Sequence, residues 1–230
     1  MRKRVLLLFF TLFIILPSLS YAKEESVCYG TTSRGRLKNG WQLPSKGKNF
    51  ASYALLGNWI GRTYVHSKVH KTVVDTYEEL RKQNKNKVFM YGETGFKEGG
   101  LFKPHKTHQN GLSVDFMVPI INKKGQSIRL PTTPLNKYGY EIEFDHKGDR
   151  SEYSIDFEAM GAHLDLLQQA AQKNHVNIWR VIFDPKLQPY LFRTKTGKNL
   201  KNKLKFSQKK SWVRHDEHYH VDFVVKCMPY

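Results

Sequence analysis

Cysteine is nearly absent: the 230 residues contain two, Cys28 and Cys227, which excludes a scaffold held together by many disulfides. Past the N-terminal segment no apolar run approaches the roughly 20 residues that cross a bilayer, so the body of the chain reads as soluble. No Ser- or Pro-rich linker and no internal repeat interrupts it, which leaves one domain rather than several. Acidic residues are scarce too. Asp and Glu number 20 against 38 Lys and Arg, a formal charge of +18.

What is present begins with an address. Arg2, Lys3 and Arg4 precede an apolar stretch over 5–16 broken only by Thr11, and Pro17 closes it. Ser20-Tyr21-Ala22 then offers small residues at the two positions a signal peptidase inspects. Residues 1–22 read as a cleaved signal peptide; a transmembrane anchor is the alternative, disfavoured by the short run and the proline. The remainder, 23–230, is a domain of about 208 residues carrying about +15. Export makes nucleic acid an unsuited partner for that field. An anionic envelope surface, of lipid headgroups or wall polymer, suits it better, unless the charge serves solubility alone. In an oxidising compartment Cys28 and Cys227 are most simply a disulfide, which staples the start of the mature chain to its last strand. Two buried free thiols would leave the N-terminal segment untethered.

Along the chain, residues 29–65 predict an irregular wrap with short strands, in which residues 53–60 pack on the core. Val69, Val73, Tyr77 and Leu80 recur at helical spacing from Ser67 to about Lys82. Residues 87–91 predict a strand that leads into a Gly-rich loop over 92–100. Leu112, Val114, Phe116 and Val118 then alternate with Ser113, Asp115 and Met117, a strand that turns Asp115 away from the large apolar set toward a cleft. Residues 121–153 read as a long surface loop, a rim of the substrate groove. Asp156 suits the N-cap of a helix running through Lys173, with His163 at its surface or at the rim. A strand over 176–183, a short helix ending near Arg193 and a solvated basic excursion over 195–210 complete the chain. The expected fold is α+β: one domain, a small mainly antiparallel sheet, helices packed on it, and a metal cleft on the sheet face.

Two clusters carry the chemistry. His105 and His108 are followed by Asp115, and His215, His218 and His220 lie near the C-terminus, five of the chain's ten histidines. His218 and His220 are one residue apart in a strand, so both project from one face. A catalytic zinc needs three nitrogen, oxygen or sulfur ligands and an open position for water. His108 from the loop before a strand, Asp115 within it and His220 from a neighbouring strand can supply them. His218 is then a spare imidazole suited to act as general base. His215 can hydrogen-bond a developing oxyanion or orient His218, His105 is an outer partner of the ligands, and Trp212 packs beneath the segment.

His105-x-x-His108-Gln109-x-Gly111-Leu112-x-Val114-Asp115 and Trp212-x-x-His215-x-x-His218-x-His220-Val221 resemble the two signatures of the penicillin-insensitive murein endopeptidases. That family belongs to a wider group of zinc peptidases with lysostaphin-type enzymes, D-Ala-D-Ala carboxypeptidases and the hedgehog signalling domain. The H-x6-D and H-x-H spacings mark the wider group; His105, His215 and Trp212 narrow it to the murein branch. Gly92-Glu93-Thr94-Gly95, residues 180–185 and the positions of Cys28 and Cys227 resemble the family as well. The resemblance is weakest over 121–153 and 195–210. It implies one Zn2+ per chain held by His108, Asp115 and His220, with His218 as base and His215 as a second catalytic histidine. It also implies a periplasmic enzyme that cleaves D-alanyl to meso-diaminopimelyl crosslinks between peptidoglycan stem peptides. A zinc D,D-carboxypeptidase and a non-catalytic wall-binding metal protein are the competing readings.

Overall fold

The computed structural model describes residues 23–209, Ser211 and residues 213–230; the expected signal peptide and Trp212 lie outside the described residues. A hairpin of β1 (Val27–Thr31) and β2 (Arg34–Lys38) opens the described chain. After β3 (Trp41–Gln42) come β4 (Phe50–Ser52), the short helix α1 (Leu55–Trp59) and β5 (Tyr64–Val65). Helix α2 (Ser67–Gln83) follows the apolar spacing read from the sequence, with Val69, Val73, Tyr77 and Leu80 all buried. Strands β6 (Phe89–Tyr91) and β7 (Ser113–Met117) flank the Gly-rich loop and the first histidine cluster.

Next come β8 (Ile120–Asn122), β9 (Ser127–Ile128), β10 (Asp149–Arg150) and β11 (Tyr153–Ile155). These four strands form a small second sheet in the order β10-β11-β8-β9. Helix α3 (Phe157–Lys173) starts at Asp156, whose side chain accepts from the Ala159 backbone N–H as the N-cap reading requires. Strand β12 (Asn177–Ile182), helices α4 (Gln188–Arg193) and α5 (Leu200–Lys203), and strand β13 (His218–Val224) finish the fold.

The main sheet runs β12-β13-β7-β6-β4, antiparallel throughout except for the parallel β4–β6 pair. Its centre is the β7–β13 pairing, whose register sets His220 directly opposite Asp115 and Asp222 opposite Ser113. Because side chains alternate, His218, His220 and Asp222 share one face with Asp115. Val114, Phe116, Tyr219, Val221 and Phe223 take the other face and join Leu164 and Leu167 of α3 in the core. Burial on both faces is why β7 and β13 are almost wholly inaccessible. The expected disulfide forms: Cys28 and Cys227 are 199 residues apart in sequence, with Cα atoms 4.8 Å apart. Among the described residues no helix is long and apolar enough to cross a membrane.

Four expectations need correction. Residues 53–60 do not pack inward as a unit: Tyr53 and Ala54 are buried, but Leu55, Leu56, Trp59 and Ile60 on and just after α1 are exposed. Residues 121–153 are not merely a surface loop, because Leu130, Ile142 and Phe144 are buried and the segment carries part of the second sheet. The basic stretch 195–210 likewise sends Leu200, Leu204 and Phe206 into the core between its exposed lysines. His163 is neither surface nor rim; it is 1% exposed, and its Nδ1 shares a hydrogen bond of 2.8 Å with the Tyr219 hydroxyl.

Burial alone lowers the pKa of His163 to about 3. The unfolded chain takes up that proton near pH 6.5 and the folded chain does not. His163 therefore adds stability above pH 6.5 that is lost as pH falls toward 3, at roughly 1.4 kcal/mol per pH unit inside the window. His163→Gln retains an acceptor for Tyr219. It should shrink the pH dependence of the unfolding free energy by about one proton between pH 4 and 6, in denaturant titrations with chelator present. An identical slope in both proteins would contradict the assignment.

Candidate active site

A cleft of about 750 Å³ opens on the face of the sheet that carries Asp115. His105, His215, His218 and His220 line it, together with Glu93, Tyr140 and Glu217. Two of the site histidines, His108 (φ 70°) and His215 (φ 57°), hold left-handed backbone conformations. Such conformations cost a non-glycine residue energy and tend to occur where function imposes them.

Asp115 is the centre, and its two oxygens have different neighbours. Oδ1 lies 3.3 Å from His108 Nε2 and 2.8 Å from His220 Nδ1. Oδ2 accepts the Tyr140 hydroxyl at 3.0 Å and lies 3.8 Å from both His105 Nδ1 and His218 Nε2. Burial would raise the Asp115 pKa, but the imidazoles of His108 and His218 nearby and the hydrogen bond from His220 hold it well below the ordinary range. Gly92 lies beside the carboxylate: a Cβ there would sit 2.5 Å from the Tyr140 hydroxyl and 3.1 Å from the Asp115 Cβ. Gly92 is therefore needed for space.

Each histidine has one nitrogen engaged on its outer side, which sets what the other can do. His108 Nδ1 donates to the Thr94 carbonyl at 3.1 Å, and its Nε2, fully buried, makes no hydrogen bond among the described residues. His220 Nε2 donates to Asp222 Oδ1 at 2.8 Å. Asp222 is itself held by Ser113 Oγ at 2.6 Å and Arg180 Nε at 2.6 Å. With a carboxylate at either nitrogen, the His220 pKa rises to about 10 although burial would lower it. His105 Nε2 meets Glu93 Oε2 at 2.6 Å, and Glu93 also pairs with Arg62 and accepts the Tyr53 hydroxyl at 2.8 Å. Those bonds from His105 and Arg62 overcome the effect of burial and lower the Glu93 pKa to about 2.

His218 Nδ1 lies 2.7 Å from Glu217 Oε1, so its proton points to Glu217 and Nε2 is turned toward Asp115. Burial lowers its basicity, and Glu217 and Asp115 more than restore it. His215 Nδ1 donates to the Val213 carbonyl at 2.9 Å, and its ring centroid is 4.6 Å from that of His218. Burial and His218 lower the His215 pKa to about 3.

Donor chemistry is therefore compatible with a metal ion: an uncompensated buried imidazole nitrogen beside an ionised carboxylate is what an ion would satisfy. His105, His108 and Asp115 form one possible set, with ligand atoms within 4.8 Å of one another. His108, Asp115 and His220 form the other, converging on Oδ1. All five cluster histidines and Asp115 reach one site; Trp212 lies outside the described residues.

Sequence reasoning missed four participants. Asp222 repeats the two-residue spacing after His218 and His220, a signal that was available. Glu217 adjoins His218 but precedes β13, where alternation gives no guidance on direction. Glu93 belongs to the quoted Gly92-Glu93-Thr94-Gly95 motif but carries no role there, and Tyr140 comes from the segment read as loop, with nothing in its neighbours to mark it.

Comparison with protein families agrees with this geometry: residues 28–229 match the penicillin-insensitive murein endopeptidases, and the chain belongs to that family. Its class is thus that of peptidases, acting as a murein endopeptidase in the general sense of the family, with peptidoglycan as substrate. No curated protein matches the chain.

Proposed function

We propose that the chain is an exported zinc peptidase that hydrolyses the D-alanyl to meso-diaminopimelyl crosslink of peptidoglycan, with His108, Asp115 and His220 as metal ligands. The observation that carries this reading is the approach of His108 Nε2 and His220 Nδ1 to the same carboxylate oxygen, at 3.3 and 2.8 Å, with the His108 nitrogen otherwise unbonded. Donors roughly 3.3 Å apart suit two ligands of one tetrahedral ion with bonds near ~2.0 Å. His105 approaches the other oxygen, already bonded by Tyr140, and serves as an outer partner through Glu93. Two imidazoles and a carboxylate are a donor set suited to zinc.

When bound, zinc supplies a water acidified toward neutral pH and polarisation of the scissile carbonyl. His218 Nε2 takes the proton of the attacking water and returns it to the leaving amine. Glu217 keeps the Nδ1 proton in place and stabilises the imidazolium that forms. His215, neutral and donating Nδ1–H to Val213, offers only an acceptor at Nε2, so it positions His218 rather than donating to an oxyanion. Residues 1–22 act as a cleaved signal peptide and direct the chain to the periplasm. The Cys28–Cys227 disulfide is in keeping with that oxidising compartment.

Mass analysis of digested muropeptides tests the reading. Crosslinked dimers should become monomers, and a chelator should abolish the conversion, with zinc restoring it. Loss of terminal D-alanine from uncrosslinked peptides with dimers left intact would make the protein a D,D-carboxypeptidase. No product at all beside stoichiometric zinc would leave a wall-binding metal protein.

A further inference from the structure

We propose that a groove continuing from the cleft past Trp179 binds a pyranose ring of the glycan strand, an N-acetylated amino sugar attached to the stem peptide being cut. The inference rests on the endopeptidase reading and adds a saccharide subsite to it. Its starting point is a defect in β12. Asn177 and Ile178 pair with Val224 and Phe223, and Arg180 pairs with Asp222, so the ladder slips by one residue and Trp179 has no partner on β13.

Such a bulge re-aims side chains. Ile178 packs against the core, Val181 is buried within it and Ile182 lines the cleft. Strict alternation would set Trp179 and Arg180 on opposite faces. With the extra residue, the Arg180 guanidinium lies over the Trp179 ring, 4.4 Å from its centroid. Arg180 also bonds Asp222, the carboxylate behind His220. The bulge thus puts a large aromatic surface, 47% exposed, on an edge strand beside the site.

A second cavity, of about 620 Å³, is lined by Trp179 and adjoins the catalytic cleft at Thr107 and Arg180, which line both. The tip of the β1–β2 hairpin brings three hydroxyl-bearing residues, Thr31, Thr32 and Ser33, to its wall. Asn110 lines it as well. This residue is 1% exposed, and among the described residues its Oδ1 meets no hydrogen-bond donor, which leaves an acceptor unmet beside the cavity. An aromatic face for the C–H side of a sugar ring, hydroxyls and a free amide oxygen make a saccharide site. Stem peptides are covalently attached to such sugars, so a cleft that takes the peptide has the glycan within reach.

The test uses the mature chain and two substrates: crosslinked dimers that retain their disaccharides, and the same dimers with the sugars removed. The unaltered protein should show about tenfold higher kcat/KM on the first, the value of one good stacking contact. Trp179→Ala should bring the ratio of the two kcat/KM values close to one, and Trp179→Tyr, which keeps a stacking face, should preserve most of it. Because both rates come from one preparation, partial misfolding lowers both and leaves the ratio alone. A ratio near one in the unaltered protein, or a ratio that Trp179→Ala does not change, would overturn the subsite while leaving the endopeptidase reading intact. Failure of the unaltered protein to cut either dimer would overturn that reading and the subsite with it.

Discussion

His220→Ala protein should fold, lose its stoichiometric zinc and cleave crosslinked muropeptides at least ~10³-fold more slowly than the unaltered chain. Folding should survive because the partners left behind are still satisfied. Asp222 retains Ser113 and Arg180, and Asp115 retains the Tyr140 hydroxyl and the approach of His108. Zinc should not survive, because the removed imidazole is one of two that converge on Asp115 Oδ1. His105→Ala is the informative control, since His105 belongs to the competing ligand set. It should keep near-stoichiometric zinc and weaken affinity by only about 10- to 100-fold, as expected for a group that acts on ligands from outside. Metal analysis of the two purified proteins decides between the sets. Full zinc and normal digestion in His220→Ala, with both lost in His105→Ala, would reverse the assignment.

The second large effect is kinetic and leaves the metal in place. His218→Ala should bind zinc as the unaltered chain does and lose about 10²- to 10⁴-fold in kcat, the usual contribution of a positioned general base. The residue lies 3.8 Å from Asp115 Oδ2 and bonds to no proposed ligand. Glu217→Gln should give a smaller loss, about 10- to 100-fold, because it keeps a hydrogen bond to Nδ1 and removes the charge that stabilises the imidazolium. If His218→Ala instead lost zinc in proportion to activity, the imidazole would be a ligand and the proton acceptor would have to be sought elsewhere, with Glu217 the nearest carboxylate.

Much of the site was legible because it depends on local periodicity. Asp115 lies within a strand whose alternate residues are large and apolar, so its direction followed from the pleat. His218 and His220 share a face for the same reason, and α2 and α3 follow their apolar spacing to within a residue or two. Where periodicity ran out, reading failed. His163 shows why: a histidine on a helix is polar enough to predict a surface position, yet its ring fits among Tyr77, Phe89, Phe116 and Tyr219, and the Tyr219 hydroxyl satisfies one nitrogen. At α1, apolar composition suggested burial, but the helix lies at the edge of the cleft and leaves Trp59 85% exposed.

The sequence alone determined the donor types, their spacing, the family, and which side chains share a strand face, since each of these is local or is carried by short motifs. Tertiary structure decided which histidines meet which oxygen of Asp115, that Glu217 holds His218, that Tyr140 crosses from another segment to the carboxylate, and that a bulge in β12 leaves Trp179 unpaired and half-exposed. Those facts depend on strand register, which sets His220 against Asp115 across 105 positions, and on tertiary packing, which brings Tyr140 to the same carboxylate from 25 positions away. A one-residue slip would exchange the faces of a strand, and only the folded chain, with both faces of β7 and β13 covered, makes one register the favourable one.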